Sequence, residues 1–138
     1  MKEEKTSLLL VSSPGILQQT LKYTFGSKPC VDIIGVANGG LSAIKFMKNR
    51  LPDLVVIDSN MPESETDELI QVIRKEFPGV YTLVLVETSL QFSHAVQSRA
   101  DFVIRAYDLT SQLDATLKEL RTLLKYNPKK LEENVISD

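Results

Sequence analysis

"LLLVSSPGILQQTL", residues 8–21, decides how this chain folds. Four consecutive apolar residues stop on two serines, and a segment of helical period follows at once. The continuous Leu/Val run reads as a strand covered on both faces. Ser13 is placed to cap a helix, and Pro14 suits the first helical position. Ile16, Leu17, Thr20, Leu21 and Phe25 then give one apolar face, which predicts a helix over about 14–25. A strand that hands over to a helix is the unit of parallel α/β sheets. Such sheets place their chemistry just beyond the carboxyl ends of the strands, here at Ser12 and Ser13.

The unit recurs along the chain. "SLLLV" (7–11), "VDIIGV" (31–36), "DLVVID" (53–58), "YTLVLV" (81–86) and "DFVIR" (101–105) are all near-continuous apolar runs. A second helix is expected over about 41–50, with Leu41, Ile44 and Met47 facing inward and Pro52 stopping it. A third is expected over about 67–77 from Leu69, Ile70, Ile73 and Phe77, with "FPG" ending it. A fourth, about 91–98, is short and weakly patterned. The fifth, about 110–125, carries Leu113, Leu117, Leu120 and Leu124 on one stripe. Five β-α units imply an α/β fold, a doubly wound five-stranded parallel sheet with helices on both faces. Residues 1–126 form one domain in this reading. "NPKKLEENVISD" (127–138), polar and set off by a proline, reads as a tail or the start of a linker.

Composition narrows the function classes. Apolar residues make up 43% and charged residues 25%, as in an ordinary globular protein. The formal net charge of −2 argues against a nucleic-acid surface, which needs a basic face. Cys30 is the only cysteine, so neither an internal disulfide nor a cysteine metal cluster can form. A cytoplasmic location is expected, with no membrane association, because no apolar run is long enough to span a bilayer. "ANGG" (37–40) lacks the spacing of a dinucleotide or phosphate loop and reads as a turn.

Asp58 ends a wholly apolar strand. It is either a reactive or ligating carboxylate, or a cap satisfied by nearby backbone N–H groups. The surrounding sequence, "PDLVVIDSNMP" followed by "TDELIQVIRKEFPGV", resembles the third strand, phosphoacceptor loop and third helix of response-regulator receiver domains. "IIGVANGGLSAIKFM" is similar to their second strand and helix. The resemblance runs from Ser7 to about Lys125 and is to receivers found in DNA-binding two-component regulators.

The resemblance implies a flavodoxin-like sheet of order 2-1-3-4-5 with Asp58 in the phosphoacceptor position. The family's reaction also uses an acidic pair that holds a divalent metal, a hydroxyl after the fourth strand and a lysine after the fifth. Those positions fall here on Ser12 and Ser13, on Val86 and on Arg105, and the proline usual after the lysine is Ala106. The family's aromatic switch position falls on Phe102, which is expected to be a fixed core or interface residue. Serine hydroxyls supply no charge to Mg²⁺, which prefers carboxylate oxygens. Val86 cannot donate to a phosphoryl oxygen, and a guanidinium does not replace a lysine point charge. The expectation is therefore a pseudo-receiver that binds no cofactor, catalyses nothing and works by protein–protein contact. Arg105 is expected to form a standing ion pair with Asp58. Ser13 is read as a cap and Ser12 as a small turn residue.

The remaining features have plain readings. Glu63, Glu65, Asp67 and Glu68 could replace the missing ligands, but acidic residues are ordinary in the first turn of a helix. Asn60 joins Asp58 only as a weak alternative metal position. His94 is expected to face solvent. Partners implied are a protein or an attached effector domain, and a second copy through the face of the fourth helix, fifth strand and fifth helix, where Tyr107 and Leu109 would contribute. Two other readings stand beside the first. One is a true receiver phosphorylated on Asp58 by a histidine kinase, with Mg²⁺. The other is a flavodoxin-like ligand binder with "SSPG" as its anion loop.

Overall fold

The structure, a computed structural model, describes residues 5–126. The tail or linker expected over 127–138 lies outside the described residues. Five parallel strands, β1 (Thr6–Val11), β2 (Val31–Ala37), β3 (Leu54–Asp58), β4 (Tyr81–Val86) and β5 (Phe102–Arg105), form one sheet of order β2-β1-β3-β4-β5. The helices between and after them are α1 (Ile16–Gly26), α2 (Gly40–Asn49), α3 (Glu63–Glu76), α4 (Ser89–Gln97) and α5 (Leu109–Tyr126), with a short 3₁₀ turn at Ala106–Asp108.

The doubly wound expectation holds, and the apolar runs explain it. β3 and β4 are buried along their whole length, so each needs a helical layer on both faces. One layer is α1 and α5, whose Leu21, Phe25, Leu113, Leu117 and Leu120 pack against Leu8, Leu10, Val56 and Leu83. The other is α2, α3 and α4, where Met47, Leu69, Ile70 and Ile73 meet Leu9, Val55, Ile57 and Val84. Successive strand residues thus feed opposite cores, as the two-residue period requires. β2 carries one extra residue, since Leu8 pairs with Ile33 but Leu9 pairs with Gly35. Gly35 lies under the Phe46 ring, where a Cβ would come within 2.4 Å of it.

Several local expectations need correction. α1 begins at Ile16, and its N-cap is Gly15 at φ 147°, with no side-chain cap bond. Ser13 and Pro14 belong to the loop, because the chain turns at the glycine rather than at the proline. Leu41 is 80% exposed, and Ala43 with Met47 forms the inward face of α2 instead. α3 starts four residues earlier than its apolar pattern, directly after Pro62. Its first turn, residues 63–66, is polar in sequence, so hydrophobic spacing cannot reveal it. Leu109 is buried beneath the start of α5 and is unavailable to a partner.

Candidate functional site around Asp58

Asp58 closes β3 at the carboxyl edge of the sheet, flanked by the ends of β1 and β4. Its side chain is accounted for on both oxygens. Oδ1 accepts the Asn60 backbone N–H at 3.1 Å, and Oδ2 accepts the Ser12 hydroxyl at 3.2 Å. Of the two sequence readings, the capped carboxylate matches the resting geometry. Asp58 is only 5% exposed, and this burial pushes its carboxyl above the usual aspartate range. The Asn60 and Ser12 hydrogen bonds pull the other way, and the nearby Glu87 charge adds to the rise.

Ser12 is more than a turn residue. It is fully buried, and its hydroxyl lies between Asp58 and the Ser13 carbonyl, 3.3 Å away. Its own carbonyl accepts from Gln18 Nε2 at 2.8 Å, and the same nitrogen reaches Asn38 Oδ1 at 3.0 Å. Gln18, on the first turn of α1, thereby ties the β1 loop to the loop after β2. Sequence reasoning missed it. The only available signal was a polar residue on the buried side of an amphipathic helix. Ser13 is exposed and contributes no side-chain bond to the site.

On the other side, Val86 is fully buried and pairs in register with Arg105. Arg105 does not pair with Asp58, contrary to expectation. Its guanidinium lies 5.1 Å from the centre of the Phe92 ring on α4, a cation–π contact. The reason is positional: β4 stands between β3 and β5, and α4 offers an aromatic face nearer to hand. Phe102 is partly buried against the α1/α5 core. Glu87, which follows the last residue of β4, is the second carboxylate of the region, and its Oε1 accepts from Asn60 Nδ2 at 3.1 Å.

Two members of the acidic run after Asp58, Glu65 and Asp67, are already engaged elsewhere. Glu65 Oε2 accepts the Gly40 N–H at 2.8 Å, capping the start of α2. Asp67 accepts from Ser98 Oγ at 2.8 Å and lies 3.1 Å from His94 Nδ1. His94 is therefore half-exposed with an acidic partner, rather than simply solvent-facing. The Glu63 side chain lies outside what the structure describes. Among the described residues no three His, Cys, Asp or Glu side chains converge to hold a metal ion. The donors beside Asp58 are one neutral hydroxyl, an amide and Glu87. That set fits a hard divalent ion poorly.

No family model matches the sequence. The chain is 26% identical over 126 residues to a protein-glutamate methylesterase/protein-glutamine glutaminase of Pyrococcus horikoshii, covering 85% of this chain and 32% of that one. It is 26% identical over 84 residues to the uncharacterized transcriptional regulatory protein YhcZ of Bacillus subtilis, covering 61% of this chain and 39% of that one. It thus spans about a third of the length of these curated relatives. Among solved structures, a DNA-binding response regulator of the LuxR family from Staphylococcus aureus superposes with a TM-score of 0.72 at 21% identity, covering 83% of this chain and 98% of that one. The chain has the receiver fold of two-component response regulators. Among the described residues no helix is long and apolar enough to cross a membrane.

Proposed function

We propose that this domain is a receiver module that has given up metal-dependent phosphoryl transfer and acts by binding another protein. One observation carries the reading. Asp58 is held by Ser12 and Asn60 in a buried site where, among the described residues, no three acidic, thiol or imidazole side chains converge to hold Mg²⁺. Phosphoryl transfer depends on metal and fixed charge to stabilise its transition state. Val86 and Arg105 add support, since the first offers no donor and the second is turned onto Phe92. In this reading the domain performs no catalysis of its own and works in the cytoplasm.

The partner face would be that of α4, β5 and α5, used by a protein partner, an attached effector domain or a second copy. Val96 and Tyr107 are 52% and 78% exposed there, and exposed apolar groups suit a partner surface. The test is intact-mass measurement after incubation with Mg²⁺ and a small phosphoryl donor, with Asp58→Asn as control. No mass gain is expected in either protein. A phosphoryl-sized gain that disappears in Asp58→Asn would restore the true-receiver reading.

A further inference from the structure

The Ser12 hydroxyl has one hydrogen and two acceptors. Asp58 Oδ2 lies 3.2 Å from its oxygen, and the Ser13 carbonyl lies 3.3 Å from it. Both contacts are long for an O–H···O bond, and the single hydrogen serves one of them at a time. The cluster is therefore one proton short. With a proton on Asp58, the carboxyl O–H donates to the Ser12 oxygen and the Ser12 O–H turns to the Ser13 carbonyl, so that both contacts are made. Ser12 is fully buried and Asp58 nearly so, which leaves water little part in supplying the missing bond.

The other Asp58 oxygen is connected to α4. Oδ1 accepts the Asn60 N–H, and the Asn60 side chain donates to Glu87 Oε1. Gln91 Oε1 accepts the Glu87 and Thr88 N–H groups at 2.7 and 3.2 Å. The Gln91 N–H donates to the Thr88 hydroxyl, closing the cap that starts α4. An ionised Asp58 repels the Glu87 charge at the root of this cap, and a neutral one does not. The other charged groups of the elements around the site are engaged elsewhere. Arg105 of β5 lies on Phe92, Glu65 of α3 holds Gly40 of α2, and Asp67 pairs with His94 of α4. The α1 residue reaching the site is Gln18, which is neutral.

We propose that Asp58 and Ser12 form a proton switch: a proton taken up by Asp58 completes the Ser12–Ser13 contacts and firms the start of α4, and its loss loosens that start. The proton comes from solvent and rests on the carboxyl, so neither a metal nor a phosphoryl donor takes part. Burial raises the pKa of Asp58, which widens the range over which the protonated form is populated. α4 belongs to the partner face proposed above, but the switch does not rest on that reading.

The test follows the Asp58 carboxyl of the full chain by carbon-detected NMR. Alongside it, amide hydrogen exchange of residues 87–91 is measured and corrected for the intrinsic pH dependence of exchange. Near-ultraviolet circular dichroism checks the fold at each pH. Protection of 87–91 is expected to fall by about threefold or more as Asp58 ionises. It is expected to stay level in Asp58→Asn, which keeps Glu87 and the titratable His94, and in Glu87→Gln, which keeps Asp58. Any one of four results overturns the proposal: protection that does not follow the Asp58 titration, the same fall in Asp58→Asn, the same fall in Glu87→Gln, or unfolding before Asp58 takes up its proton.

Discussion

The Ser12 hydroxyl donates to the Asp58 carboxylate at 3.2 Å, joining residues 46 apart in sequence across the β1–β3 seam. Where the receiver resemblance leads one to expect an acidic metal ligand, this chain supplies a hydrogen-bond donor. An acid at that position would repel Asp58 unless a cation lay between them. A hydroxyl donates to Asp58 instead, and this hydrogen bond offsets part of the cost of burying its charge.

Removing that donor will show in the titration of Asp58. In Ser12→Ala the charged form loses a partner, so the already raised pKa of Asp58 rises further. The buried oxygen left behind costs about 1 kcal/mol of stability at neutral pH. Carbon-detected NMR titration of Asp58, with urea unfolding, measures both. An unchanged titration would mean that the Ser12 contact is not made in solution.

The pH dependence of stability has a definite sign. A carboxyl whose folded pKa lies above its unfolded value binds protons more tightly when folded. Its contribution is present in full below the unfolded value near 3.8 and is lost as pH rises through the raised folded value. Asp58 therefore opposes folding at neutral pH. Asp58→Asn is expected to be more stable than the parent at pH 7, with the gain vanishing toward pH 3. Denaturant melts at several pH values test this, and an Asp58→Asn protein less stable at pH 7 would contradict it.

Arg105 provides a sharp contrast between two placements. Its contact is with Phe92. Arg105→Gln is expected to cost about 0.5–1 kcal/mol and to leave the Asp58 titration where it was. A rise in the Asp58 pKa in that variant would instead indicate the ion pair.

α4 is short and buries only Ala95 fully. Much of its attachment to α3 runs through Asp67, which holds both Ser98 and His94. Asp67→Ala is expected to speed amide hydrogen exchange in 89–97 selectively, with a loss of about 1–3 kcal/mol in local protection. Uniform acceleration across the domain would argue for a global effect instead.

The inward faces can be checked by truncation. Leu113→Ala removes a fully buried side chain from the α1/α5 core and should cost about 2–5 kcal/mol. Leu41→Ala, on an exposed side chain, should change stability by no more than about 0.5 kcal/mol.

Much of this protein could be read from its sequence alone. β1, β3 and β4 were legible because burial on both faces imposes runs of Leu, Val and Ile that no loop tolerates, and the edge strands and the α5 stripe by their apolar patterning. The placement of Asp58 followed from the same pattern, since a charged residue can end such a run but cannot sit within it. Polar starts were not legible: the first turn of α3 and the glycine entry to α1 have no hydrophobic period to betray them. Nor were side-chain partners. That Ser12 would meet Asp58, that Gln18 would brace Ser12, that Glu65 would cap α2 and that Arg105 would choose Phe92 all depend on which elements lie side by side. Local sequence sets the period and burial of an element. Hydrogen bonds and ring contacts act over a few ångströms between residues far apart in the chain, so only the packed tertiary structure could decide them.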